Sequence, residues 1–434
     1  MRLPNPLLIG TLAAVACAAP ACVRAQPAAS RATELAVTAP PDGITVAVEG
    51  PGVDMPWIVA PAVRGTGGVQ VLRTVNDEPH FLFRLGAGYS VVQSTRAAPP
   101  LQPPPARRWN IEGSALALRH DDGEFYASME RRNWGPGWTG SLILDGAAQP
   151  VAAVGWRRPQ PRESVHPWLQ WMGPWSADLF FGRLFGHEVP RRPALIGMRL
   201  QLQPFENFQF GVSRALQWGG RERQENLPAL VRGLLGWDNA GTRGITTENQ
   251  PGNQLAGFDA RLSFGPERQW AVYTQLIGED ENGYLPSAWI VQAGFDSRVV
   301  VRGVELRAFV EWNDLIAGDA YGTHRPPGIT YTSGVYPQGY THDRMPLGHP
   351  AGGDVRLASA GVLAHAANAH AALVVSRGTA LPTAQRFAAG TISGFNGSLT
   401  FDVDARQQLG AGLWWWRDSA QRQRAAQLWW RVLM

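Results

Sequence analysis

A chain of 434 residues with 49 Gly, 34 Pro and 18 Trp is long enough for several ordinary domains or for one large barrel. Its 39 basic residues, all Arg, exceed 35 acidic ones by +4, too small a surplus to point to nucleic acid. The only two cysteines, Cys17 and Cys22, fall in an N-terminal stretch that reads as an export signal, which leaves the mature chain without a disulfide framework or a thiolate metal site.

That signal is read at residues 1–25: Arg2, the apolar run Leu7 to Ala16, and Val23-Arg24-Ala25 before Gln26. Its loss removes Arg2 and Arg24 and lowers the formal charge to +2. The run is too short to span a bilayer as a helix, and none long enough follows it, so a membrane reading has to rest on strands. Residues 26–63, rich in Ala, Pro, Thr and Val without a period, read as a poorly ordered periplasmic leader.

Residues 64–434 read as an all-β, antiparallel, transmembrane outer-membrane barrel with long extracellular loops. In Leu255–Phe264, Phe258, Ala260, Leu262 and Phe264 share one face while Asp259, Arg261 and Ser263 share the other, as a lipid wall and a wet lumen require. Trp270, Val272, Thr274 and Leu276 oppose Tyr273 and Gln275 in the same way, and Val304, Leu306, Ala308, Val310 and Trp312 oppose Glu305, Arg307, Glu311 and Asn313. Helical periodicity is confined to Leu227–Leu235.

Connections alternate between short ones, at 204–206, 265–268, 366–368 and 404–407, and longer ones, at 217–254, 278–287, 314–355 and 378–394. Short periplasmic turns and long outer loops would produce this alternation. About nineteen strand candidates can be marked, 167–172 among them, and an even-numbered barrel requires that one be wrong. Val69–Val75 or an inward-lying Thr139–Leu144 are the ones to remove. Near the C-terminus, Trp414, Trp415, Trp416, Trp429 and Trp430 read as an interfacial aromatic girdle.

Trp134-Gly135-Pro136-Gly137-Trp138, with Ser213–Gly220, Pro251–Arg261, Tyr273–Pro286, Val310–Asp314 and Gly339–Asp354, resembles the Wzi family of capsule assembly proteins. The resemblance implies a barrel of about eighteen strands that binds capsular or exopolysaccharide at the cell surface and helps anchor or assemble it, without catalysis and without a cofactor. Such proteins also carry a small periplasmic helical bundle near the N-terminus, a feature from which the Pro-rich stretch here departs.

The long connection Asn313–Asp354 concentrates Tyr321, Tyr331, Tyr336, Tyr340, His342, Arg344 and His349 and reads as a surface loop that holds the function. Chemistry and placement nominate Trp218, Arg221, Trp237, Tyr284, Tyr336, Tyr340, His342 and Arg344 for polysaccharide contact: aromatic faces cover pyranose rings and Arg pairs with acidic sugars. Surface polysaccharide and outer-membrane lipid are the expected partners. Neither the acidic Glu279–Glu281 stretch nor His324, His342 and His349 has the spacing of a metal site, and Glu305 with Glu311 reads as a lumen charge ladder rather than a glycosidase pair. The alternative is a porin-like diffusion channel lined by Asp259, Arg261, Glu305 and Arg307.

Overall fold

The computed structural model describes residues 43–49, 65–77, 81–93, 107–146, 150–234, 246, 250, 252–282, 285–319, 325–404 and 407–433. The signal at 1–25, Trp237, Tyr284, Tyr321 and His324 lie outside these residues.

The wall begins with β1 (Gly43–Glu49), β2 (Gly65–Asp77) and β3 (Phe81–Gln93). Two short strands share the next place: β4 (Arg107–Asn110) pairs with Gly88–Val91 of β3, and β5 (Ala115–His120) with Phe81–Arg84. Then come β6 (Gly123–Ser128), β7 (Ala153–Arg162), β8 (Trp175–Arg183), β9 (Ala194–Phe205) and β10 (Phe208–Trp218). After the α1 helix (Leu227–Leu234), β11 (Gly252–Phe264), β12 (Trp270–Asn282), β13 (Leu285–Val301) and β14 (Val304–Gly318) continue it. A separate two-residue hairpin, β15 (Thr341–His342) with β16 (Met345–Pro346), stands off the wall. The wall ends with β17 (Val355–His365), β18 (Ala369–Ala380), β19 (Gly390–Asp404), β20 (Gln407–Arg417) and β21 (Arg422–Leu433).

Pairing is antiparallel throughout, and β1 closes on β21 with Thr45 opposite Leu433 and Glu49 opposite Trp429. Nineteen paired strands therefore fill eighteen places, because β4 and β5 occupy one. Closure leaves no open edge, which a bilayer forbids. Both ends of the wall lie on the side of the short turns, the periplasmic side in barrels of this kind.

The strand alternation fixes the two faces. Phe258, Val310, Trp312, Val362, Leu373, Val375, Phe395 and Leu413 are exposed outward, while Gln275, Gln292, Glu311, Asn313, Ser359 and Asn396 are buried inward. Among the described residues no helix is long and apolar enough to cross a membrane; the strands do so.

Several sequence expectations are corrected. Val69–Val75 is part of β2 and stays in the wall, whereas Thr139–Leu144 lies inward, with Thr139, Leu142 and Ile143 fully buried. Pro167–Met172 is a 3-10 helix opened by Pro167, not a strand. Gly43–Glu49 is a wall strand inside the stretch read as leader; Gly43, Pro51 and Pro61 around its alternating residues masked the period. The supposed long loop at 278–287 is mostly strand: β12 runs to Asn282 and β13 starts at Leu285, with a register shift at Gly278/Asp280 hiding the alternation. Trp416 faces inward at 2% exposure and donates from Nε1 to Asn396 Oδ1 at 3.3 Å, so it is no part of a girdle; Trp415 stacks on Phe395 at 6.0 Å.

Candidate functional site

Two segments, 129–146 and 325–354, fold into the outer half of the lumen, and non-strand backbone there must find its hydrogen bonds among lumen side chains. The inward faces of β12, β13 and β14 supply them. Glu311 accepts from Trp138 N at 2.6 Å, Thr139 N at 3.1 Å and the Tyr273 hydroxyl at 2.8 Å, and from the Thr139 hydroxyl as well. Gln275 accepts from Leu142 N at 2.7 Å and donates to Trp134 O at 2.6 Å; Gln292 donates to Gly140 O at 2.8 Å and to Asn313 Oδ1 at 2.8 Å. At Gly137 a Cβ would stand 2.2 Å from Gln292 Oε1, so only glycine lets the turn approach this closely.

The second segment lies against the first. Tyr331 donates its hydroxyl to Leu142 O at 2.6 Å and stacks on Tyr340 at 6.1 Å between ring centres. Gln217 donates to Gly339 O at 3.1 Å and Tyr336 to Gly219 O at 3.2 Å, which ties the segment to the outer end of β10. The 184–193 connection is tied to it too: Phe185 N donates to His342 Nδ1 at 3.0 Å, and His187 Nε2 donates to Thr341 O at 2.9 Å. Burial holds the His349 imidazole down to about 3 and lowers His187 as well, so both rings are neutral in the filled barrel.

The stretches that carry the sequence resemblance meet at this filling. Trp134–Thr139, Gln217 and Gly219, Tyr273 and Gln275, Glu311 and Asn313, and Gly339 to Asp354 are its fasteners.

The structure separates the nominated contact residues. Tyr336 and Tyr340 are fully buried and His342 is 1% exposed, so these three pack the interior; the expectation that the long connection displays them to sugar is corrected. Truncated from water by the wall, they serve the fold. Trp218, at 7% exposure, packs with Ala194, Ile196 and Leu216 beneath Leu230 and Leu234 of α1. Arg344 is half-buried next to Gly186, whose φ of 82° and tight approach to Arg344 N suit glycine alone. Arg221 is exposed on the outer rim.

Around Arg221 the structure brings together residues the sequence reading passed over. Arg221 N donates to Arg191 O at 2.9 Å, joining the 219–226 stretch to the Pro-flanked Arg191-Arg192 turn, where both side chains are exposed. Arg192 lies over the Phe185 ring at 5.7 Å, and Phe185 is 39% exposed. Arg183 clamps Glu225 through two bonds of 2.6 and 2.9 Å, and this pairing lowers the Glu225 carboxyl; Glu225 also accepts from Gly220 N at 2.8 Å. Across 183–193 and 219–226 five Arg face three Glu, so the rim is net basic. Two adjacent Arg in a short loop were the available signal, Glu188-Val189-Pro190-Arg191-Arg192-Pro193.

Lower in the lumen the charges are paired. Arg199 bridges Asp259 at 2.7 and 3.1 Å, Arg261 bridges Asp296 at 2.7 and 2.9 Å, and Glu305 sits between Arg298 at 2.6 Å and Arg307 at 3.6 Å.

Comparison with known proteins agrees with this architecture. The family model described as capsule assembly protein Wzi matches residues 80–426. A Klebsiella pneumoniae protein described as an uncharacterized 55.8 kDa protein in the cps region is 35% identical over 191 residues, which is 44% of this chain and 37% of that protein. The solved structure of Escherichia coli Wzi, described as an outer-membrane, carbohydrate-binding β-barrel involved in group 1 capsule assembly, superposes with a TM-score of 0.74 at 22% identity, covering 92% of this chain and 85% of that one. The Acinetobacter baumannii protein OccAB2 reaches only a TM-score of 0.47 at 8% identity, covering 90% of this chain and 97% of that one, too remote to argue from. With the family model spanning most of the closed wall and its filling, the chain belongs to the Wzi family of capsule assembly proteins.

Proposed function

We propose that this outer-membrane barrel binds capsular or exopolysaccharide at the cell surface and assists capsule assembly or anchoring, acting by binding alone. The observation that carries the reading is the outward basic rim of Arg191, Arg192 and Arg221, set above a lumen occupied by 129–146 and 325–354. Planar guanidinium groups pair with uronate or other acidic substituents, and the half-open Phe185 ring offers an apolar face beside them. Family membership and the description of the E. coli relative as carbohydrate-binding point the same way. A diffusion channel would need a water path through the space these segments fill, so the porin-like reading has less support.

The test is the triple substitution Arg191→Gln, Arg192→Gln, Arg221→Gln in cells that make surface polysaccharide. Barrel assembly is expected to be unchanged, since none of these side chains lies in the wall, while cell-bound polysaccharide falls and shed polysaccharide rises. Unchanged retention would remove the rim from the site.

A further inference from the structure

At the periplasmic rim His365 ends β17 and His370 is the second residue of β18, and the two are Cα partners across the 366–368 turn. Both face the lumen, opposite in parity to the outward Val362, Leu373 and Val375. Their Nδ1 atoms lie 2.9 Å apart, with ring centres at 4.2 Å and planes crossed at 72°. On the other side of His370, Nε2 is 3.2 Å from Asp402 Oδ2, and Asp402 Oδ1 accepts from Gln408 Nε2 at 2.9 Å.

These contacts assign the protons of the neutral pair. A carboxylate only accepts, so His370 carries its hydrogen on Nε2 and presents a bare Nδ1 lone pair; His365 donates its Nδ1 hydrogen to it. A carboxylate that holds one imidazole nitrogen so that the other is presented as a lone pair is the arrangement that orients metal-ligating histidines.

We propose that His365 and His370 form a binding site for a divalent transition-metal ion, Cu²⁺ being the best match, with Asp402 as the positioning carboxylate. Two nitrogens about 2.0–2.1 Å from one ion and separated by 2.9 Å subtend an angle of about 90° at it. That is the cis angle of a tetragonal site; 2.9 Å is the span of the N–H···N hydrogen bond that the ion would replace, so the choice of Cu²⁺ rests on ligand preference. Cu²⁺ also stands at the top of the affinity order for nitrogen ligands. On binding, His365 gives up its Nδ1 proton to water and takes one on Nε2, so both rings offer Nδ1 lone pairs and the protein's charge is unchanged. Its exposure allows this exchange. Among the described residues no three His, Cys, Asp or Glu converge as ligands, so water completes the coordination. An ion here would pin the β17–β18 turn on its lumen side.

The experiment titrates the purified, detergent-solubilised barrel, carrying no polyhistidine tag, with Cu²⁺ alone at neutral pH, read by calorimetry and electron paramagnetic resonance. One equivalent with a tetragonal spectrum split by two nitrogens is expected. His365→Ala and His370→Ala should each abolish that signal, Asp402→Asn should weaken binding about 10- to 100-fold, and substitution of the exposed His120 and His166 should leave it unchanged. A two-nitrogen signal that survives in either single His variant, absence of the signal in the parent protein, or Zn²⁺ displacing Cu²⁺ would overturn the assignment. If a variant fails to assemble, Cu²⁺ protection of His365 and His370 from acylation in the parent protein decides the matter: protection of both supports the site, and modification of either at the unprotected rate refutes it.

Discussion

The filling segment 325–354 and the outer rim at 183–193 and 219–226 are both irregular and rich in Gly and Pro, yet the filling, with three Tyr and two Arg, is largely buried, while the rim, with one Phe and five Arg, turns Arg191, Arg192 and Arg221 to solvent. The density of Arg favours exposure of the rim, and the supply of hydrogen-bonding partners allows burial of the filling. Loop backbone can enter a barrel only where lumen side chains satisfy it, and the inward Gln217, Gln275, Gln292, Glu311 and Asn313 form such a set at the level of the filling. At the rim part of the same need is met locally, by Glu225 capping Gly220 N and by Arg191 O accepting from Arg221 N, and part by the filling, where His342 Nδ1 accepts from Phe185 N. Aromatic rings that enter with the filling become core, and Arg on the rim stays available to a ligand.

The largest effect that would break this contrast is expected from Glu311→Ala. The substitution leaves Trp138 N, Thr139 N and the Tyr273 hydroxyl without their acceptor, at about 1–3 kcal/mol for each buried donor. Proteolysis inside 129–146 and a rise in single-channel conductance are the expected readouts, with the wall still assembled. A closed, protease-resistant barrel would mean that the filling is held by other contacts.

Acid should act in the same direction with a smaller effect. His349 is held at about 3 and His187 is lowered, against an ordinary value of 6.5. Above pH 6.5 the rings are neutral whether the filling is seated or released, and there is no dependence from them. As pH falls through 6.5 the released state takes up protons that the seated state refuses, so seating weakens by up to about 1.4 kcal/mol per pH unit for each ring. For His349 the loss continues until about pH 3. Conductance should therefore rise on acidification, and His349→Gln should blunt the rise; a response identical in that variant would exclude His349 as its source.

The smallest effect sharpens the contrast instead. The Tyr340 hydroxyl is buried with no hydrogen-bond partner among the described residues, so Tyr340→Phe should be neutral or stabilising by no more than about 1–3 kcal/mol in thermal unfolding and should leave polysaccharide retention unchanged. Loss of retention in this variant would return the ring to the binding site.

Much of the wall was legible because its period is simple. Leu255–Phe264 alternates without interruption, and its faces match the structure, with Phe258 outward and Asp259 inward against Arg199. The eighteen places agree with the count the resemblance implies, whereas the residues alone marked nineteen, because Thr139–Leu144 and Pro167–Met172 imitate strands and β1 lies among Gly and Pro. The site was harder for a physical reason. Tyr336, Tyr340 and His342 have the composition of a contact loop, and only the distant acceptors Gly219 O and Leu142 O, with the donor Gln217, show that their segment turns inward. Arg191 and Arg192 escaped notice because two Arg between prolines carry no period at all. The spaced motifs marked the family correctly, yet they mark the fasteners of the filling rather than the rim.

On the proposed reading the rim binds polysaccharide and the filling seals the lumen. This is tested most directly by measuring the affinity of purified barrels for an acidic surface polysaccharide across a salt series. The parent protein and Tyr340→Phe should bind alike, with affinity falling as salt rises, whereas the Arg191, Arg192 and Arg221 to Gln triple variant should lose most of its affinity and its salt dependence. Binding that is unchanged in the triple variant, or that is lost in Tyr340→Phe, would mean that the rim is not the binding surface.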